Sequence, residues 1–173
     1  MPLPQQNPTY KNPQAGVPLM TTISSGCKSP ILRIKYSNLL HPFYYPNSPK
    51  IPRYSVTCLA DPEKDKEFLE GIRTIEKNEG VDSIIKNDAV KKDDEYVTSG
   101  LLVIKFQSKD QIPVYLHSND TTPQLIALED ELAKNEQVII TFDILRYTKK
   151  SNVGVDHGIS FRPSAIYYIP DGQ

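Results

Sequence analysis

Tryptophan is absent from the 173 residues, and cysteine and methionine occur only twice each. Cys27 and Cys58 form no CxxC pair and no Cys/His cluster, which excludes a disulfide framework and a structural zinc site and leaves buried thiols as the expectation. No apolar run approaches the roughly 20 residues that span a bilayer as a helix. The first twenty residues hold neither a basic cluster nor a continuous apolar stretch, so no secretory leader and no membrane association are expected. A cytoplasmic location follows. The acceptor-like triplet Asn119-Asp120-Thr121 then carries no meaning.

Catalytic patterns are missing as well. The eight glycines do not cluster, and GxxxxGK[ST], GxGxxG and GxSxG do not occur, which removes the usual support for nucleotide hydrolysis and dinucleotide chemistry. His41, His117 and His157 stand in three separate loop-like contexts without HExxH or HxH spacing and read as solvated or capping residues. Asp93-Asp94-Glu95 lacks the surrounding pattern of a calcium loop and reads as a solvated charge run, and Asp143 is too isolated for a nuclease. The expectation is a protein that is not an enzyme and needs no cofactor or metal.

Acidic residues are absent from positions 1–60, which carry Lys11, Lys28, Arg33, Lys35, Lys50 and Arg53. Positions 61–95 hold twelve acids against seven bases, so the formal net charge of -1 hides a polarised chain. Six prolines fall within the first 30 residues and oppose helix and central strand there. Residues 1–30 therefore read as a Pro-rich extended arm, either disordered or laid along a partner or neighbouring subunit, followed by one domain over 31–170 and a short tail at 171–173.

Within that domain, positions 31–36 alternate, with Leu32, Ile34 and Tyr36 expected on one face and Arg33 and Lys35 on the other. Positions 54–59 read as a second strand, separated from the first by a Pro/Tyr-rich loop. Asp61-Pro62-Glu63 signals a helix start, and Phe68, Leu69, Ile72 and Ile75 recur at helical spacing, predicting a helix over about 62–78 that ends near Gly80. Residues 81–99 read as a polar excursion. Strands at 101–107 and 113–116 are expected to pair as a hairpin, 123–134 to form a short helix, and 137–147 and 159–169 to supply the last strands. The fold class is mainly β (α+β): five or six strands around one amphipathic helix, closed into an oligonucleotide-binding (OB-fold) barrel that removes open edges.

What the sequence does contain is tyrosine beside cations. Aromatic rings stack on any base, while Lys and Arg follow the phosphates of a single strand. The pattern occurs around Arg33, Lys35 and Tyr36, around Tyr44, Tyr45, Arg53 and Tyr54, and around Arg146, Tyr147, Lys149 and Lys150. Tyr44, Tyr45 and Tyr147 are expected to face a ligand; for Tyr36, Tyr115, Tyr167 and Tyr168 core packing is at least an equal reading.

Four passages, PRYSVTCLADPEKDKEFLEGI, SGLLVIKFQSKDQIPVYL, EQVIITFDILRYTKKSNVGV and GISFRPSAIYYI, cover most of residues 31–169. In their order and spacing the chain resembles the single-stranded DNA-binding proteins of tailed bacteriophages. That resemblance implies a barrel that coats and protects single strands during phage DNA replication or recombination, with replication or recombination proteins as partners, homo-oligomers as an option, and no catalysis. It carries Tyr147, Lys149 and Lys150 as the strand-end basic cluster and Lys105 as a central-strand contact. Arg33, Lys35, Tyr44, Tyr45, Arg53 and Tyr54 rest on their own chemistry. Several members of that family end in a long acidic tail, whereas this sequence stops at Ile169-Pro170-Asp171-Gly172-Gln173, so tail-mediated recruitment is not expected. The rival reading is a viral structural or assembly protein that uses the same barrel and the arm for protein contacts.

Overall fold

Alternation of apolar and polar residues, read along each strand, is what sorts this chain into an inside and an outside. A computed structural model describes residues 19–43, 52–118, 122–151 and 153–170, with only the backbone described for Leu19 and for Lys149, Lys150 and Ser151. The elements are β1 (Leu19–Lys28), β2 (Leu32–Phe43), β3 (Arg53–Ala60), α1 (Lys66–Glu79), β4 (Lys86–Lys92), β5 (Glu95–Ser108), β6 (Val114–Leu116), β7 (Gln124–Leu125), β8 (Gln137–Ser151) and β9 (Gly154–Ile169).

Five of these strands close a ring. β2 pairs with β3, β3 with β5, β5 with β9, β9 with β8, and β8 returns to β2; all contacts are antiparallel except β5–β9. β1 extends the sheet from β8, β4 pairs with β5 as a hairpin, and β6 and β7 continue from β9. Inward positions such as Ile34, Val56, Cys58, Ile104, Phe106, Val138, Ile140, Phe142 and Phe161 are buried. Phe106, Phe142 and Phe161 meet pairwise at ring-centroid distances of 5.1, 5.4 and 5.7 Å and fill the centre. Both cysteines are free; burial pushes the Cys58 thiol far up, so it stays protonated and packs as a small apolar group.

α1 brings its stripe to this core: Leu69 and Ile72 are buried, and Phe68 meets Phe142 edge-on at 6.2 Å. The helix begins at Lys66, four residues later than its first signal. Asp61 instead accepts the Glu63 and Lys64 amides and caps a preceding turn, which holds its carboxyl below the usual range. The end is as expected, with Gly80 at φ +67° and the Gly80 and Val81 amides donating back to Lys77 and Glu76.

Several expectations are corrected. The excursion over 81–99 contains β4 and the start of β5, joined at Asp93 and Asp94, whose positive φ of 51° and 65° makes a tight hairpin turn. β6 does not pair with β5, because both edges of β5 are taken by β3 and β9; β6 runs parallel to β9 instead. Residues 123–134 form no helix. The Ile126 amide donates to Val114, and the Glu131 carboxylate accepts the Leu39 and Leu40 amides at 2.6 and 2.8 Å, so long-range bonds override the local pattern. β2 runs on through Phe43 into the expected loop. His41 and His157 lie in strands. Leu19–Lys28 of the expected arm forms β1 along β8, while residues 1–18, Asn119-Asp120-Thr121 and the tail at 171–173 lie outside the described residues. Among the described residues no helix is long and apolar enough to cross a membrane.

Phe142 joins α1 to the ring, so its removal strikes both. Phe142→Ala is expected to cost about 3–5 kcal/mol in chemical denaturation, a large share of the stability of a domain this size.

Candidate nucleic-acid interface

The interface begins with one extra residue. Ile34 pairs with Cys58 and Tyr36 with Thr57, so Lys35 is left over as a β-bulge and the alternation of β2 reverses after it. Leu32 and Ile34 point inward as expected, but Tyr36 turns outward and is 51% exposed. After the bulge it is Leu39 that is buried.

An ion pair seats the bulge. Lys35 Nζ donates to Asp88 Oδ1 on β4, and Ser99 Oγ donates to Asp88 Oδ2 at 2.8 Å. The Asp88 side chain is only 4% exposed and that of Lys35 28%. The Lys35 ammonium beside Asp88 holds its carboxyl below the ordinary range against the opposing effect of burial, with Ser99 adding to the shift. Lys35 thus ties the β4–β5 hairpin to β2.

Outward from the bulge lies a groove of about 330 Å³, lined by Tyr36, Thr57, Ile84, Lys86, Val103, Lys105, Gln107 and Ser160. Strand register explains the grouping: Tyr36 faces Thr57, Thr57 faces Lys105, Ser55 faces Gln107, and Lys86 faces Val103. An exposed ring stands near two exposed lysines above a floor of neutral hydrogen-bonding groups. Thr57 is 1% exposed, and among the described residues its Oγ1 has no hydrogen-bond partner.

The other anticipated residues are placed unevenly around this groove. Lys105 lines it. Arg33 is exposed on the outer side of β2, between the buried Leu32 and Ile34, and its charge helps lower the Asp61 carboxyl. Arg53 is half-buried, on the alternation that also carries Ser55 and Thr57. Tyr54 falls on the opposite alternation and packs half-buried against the core. Tyr147 lies over Gly158, its cross-strand partner; a Cβ at Gly158 would collide with the tyrosine oxygen. Gly158 is two residues before Ser160 on the same face of β9, which puts the Tyr147 ring next to the end of the groove, about 7 Å along the strand. Its neighbour Arg146 turns the other way and pairs with Glu79 at the end of α1 at 3.0 Å. Lys149 and Lys150 continue β8 opposite Asp156 and Val155 by their backbones. Tyr44 and Tyr45 lie outside the described residues. Asp143 is engaged by Arg162 at 2.9 Å and by the Gly26 amide at 3.1 Å, which anchors β1 and keeps its carboxyl low.

No protein-family profile matches this sequence, and no curated protein does. Solved structures do. The single-stranded DNA-binding protein from bacteriophage Enc34, as a C-terminal truncation, is similar with a TM-score of 0.57 at 18% identity over 84% of this chain and 86% of that one. The same phage protein in complex with single-stranded DNA is similar with a TM-score of 0.57 at 17% identity over 91% and 96% of the two chains. Gp2.5, a single-stranded DNA-binding protein encoded by bacteriophage T7, gives 0.56 at 8% identity over 83% and 90%. This chain has the fold of phage single-stranded DNA-binding proteins.

Against that shared fold, two groove residues stand out as ones that sequence reasoning missed. Lys86 sits inside the acidic stretch, and the sequence pattern places Tyr36 equally in core or at a ligand. The signal for Lys86 was the near-mirror pattern Val90-Lys91-Lys92-Asp93-Asp94-Glu95-Tyr96-Val97, which encodes a hairpin. For Tyr36 no local signal exists, since the bulge depends on Asp88, 53 residues from Lys35.

Asp88→Asn tests the seat of the bulge. The substitution is expected to cost about 1–3 kcal/mol at pH 7. Because the folded carboxyl is shifted down, its contribution is complete above the unfolded value of about 4 and is lost as pH falls through the lower folded value. Urea denaturation of both proteins across this range should show their stability difference shrinking toward acid.

Proposed function

We propose that this protein is a non-catalytic single-strand binder of the OB-fold type, with residues 31–170 as its binding domain, which coats and protects single-stranded DNA with little sequence preference. Its setting would be phage DNA replication or recombination in the host cytoplasm, with the proteins of those processes as partners. The observation that carries this reading is the groove, in which an exposed tyrosine stands near two lysines on the outer face of a five-stranded ring. The shared fold supports it, one similar phage protein having been solved with single-stranded DNA bound.

In this reading Tyr36 supplies a stacking platform, Lys86 and Lys105 neutralise phosphates at the groove, and Arg33 and Arg53 extend the basic track along β2 and β3. Tyr147 adds a second ring beyond Ser160, and Tyr44, Tyr45, Lys149 and Lys150 belong to the contact set by their chemistry. Lys35 acts through Tyr36 and not on the strand, because its charge is spent on Asp88. Tyr54 serves packing.

The four phosphate contacts of Lys86, Lys105, Arg33 and Arg53 predict a slope of log K against log salt of about -2.8, and each of Lys149 and Lys150 that is engaged as well steepens it by about 0.7. Fluorescence-anisotropy titration of an unstructured oligonucleotide at several salt concentrations measures it, and absence of binding at about 50 mM salt would overturn the assignment. Tyr36→Ala should weaken binding by about 1–3 kcal/mol, the worth of one stacked base, and leave the melting temperature unchanged because half of the ring is already exposed. A marked fall in melting temperature would assign the ring to packing instead.

A further inference from the structure

Stacking and phosphate contacts do not distinguish one base from another, yet the floor of the groove is built from groups that do. Thr57 is almost wholly buried, and among the described residues its hydroxyl has neither a donor nor an acceptor partner. Such a group is costly to keep in a folded protein, and its cost is recovered only when a partner arrives. Gln107, half-buried on β5, brings a carboxamide with both donor and acceptor capacity to the same groove, and Ser160 adds a hydroxyl from β9. The cations stand higher: Lys86 and Lys105 are exposed, and so is much of Tyr36.

Resting on the single-strand reading above, we propose that this groove is a nucleobase-reading subsite. One base lies against Tyr36 and offers its hydrogen-bonding edge to Thr57 and Gln107, so that a general binder carries a base preference at a single nucleotide position. The cross-strand neighbours of Thr57 on its two sides are Tyr36 and Lys105. Both are exposed, so their rotation opens the floor at little cost, on the timescale of ordinary surface rotamer changes. A base that pairs with the floor binds; one that leaves the buried groups unpaired is disfavoured, and this is how polar sites gain discrimination that apolar pockets cannot.

Thr57→Val keeps the β-branched shape and removes only the hydroxyl. The test compares the full-length protein, Thr57→Val and Gln107→Leu for binding to equal-length dT, dC and dA oligonucleotides, together with their melting temperatures. The wild type should bind all three with a spread of about fivefold or more, and Thr57→Val should reduce the spread to within about twofold while keeping the salt slope. Thr57→Val should also melt at the same or a higher temperature, since no bond in the free protein is lost; Gln107→Leu should narrow the spread in the same direction. An unchanged spread in both variants, or a lower melting temperature for Thr57→Val, would overturn the subsite while leaving single-strand binding intact. Failure of the wild type to bind any of the three would instead overturn the functional reading on which the subsite rests.

Discussion

The ring strands have an inner and an outer face because the ring closes where β5 meets β9. That contact is the one parallel pairing between ring strands, and it sets Phe106 directly beside Phe161, with Phe142 completing the cluster from β8. Burying a large aromatic side chain contributes about 1.5–3 kcal/mol, and edge-on ring pairs add somewhat to it. Once the interior is filled by alternate residues of five strands, the intervening residues have only solvent, an outer element or a ligand to meet. The placement of Tyr36, Thr57, Lys105 and Ser160 on a single surface follows from closure, although they come from four strands spread over more than a hundred residues.

A second constraint acts on that surface locally. In a strand a one-residue slip reverses every later side chain, and the bulge at Lys35 does this to β2. Without it Tyr36 would join Leu32 and Ile34 in the core and Leu39 would be expelled. The ion pair to Asp88 gives the extra residue a fixed place and recruits the β4–β5 hairpin, which in turn carries Ile84 and Lys86 near the groove. A lysine that reads as a phosphate contact is therefore a strut for the aromatic ring beside it.

Charge distribution along the chain acquires a spatial meaning in this arrangement. The acid-free stretch supplies the outer residues of β2 and β3, among them Arg33 and Arg53, so no carboxylate from those strands competes with an anionic ligand. Acids of the following stretch go largely to α1, to the turn before it and to the hairpin tip at Asp93 and Asp94, while Asp88 is neutralised by Lys35. A near-zero net charge is thus compatible with a basic outer surface.

Strand period, the amphipathic stripe of Phe68, Leu69 and Ile72, the stop at Gly80 and the tyrosine-cation clusters were legible in the residues themselves, because each depends on neighbours within a turn or a pleat. From these the mainly β class and the amphipathic helix packed on the ring could be drawn. Hidden from local reading were the strand β1, the loss of the helix over 123–134 to bonds from β2 and β6, and the outward turn of Tyr36. Sequence by itself determined which residues prefer an interior and which carry ring or charge. Tertiary structure alone decided which of them share a surface, since pairing across a closed ring, a bulge anchored 53 residues away and a carboxylate claimed by distant amides are all long-range interactions that no local pattern encodes.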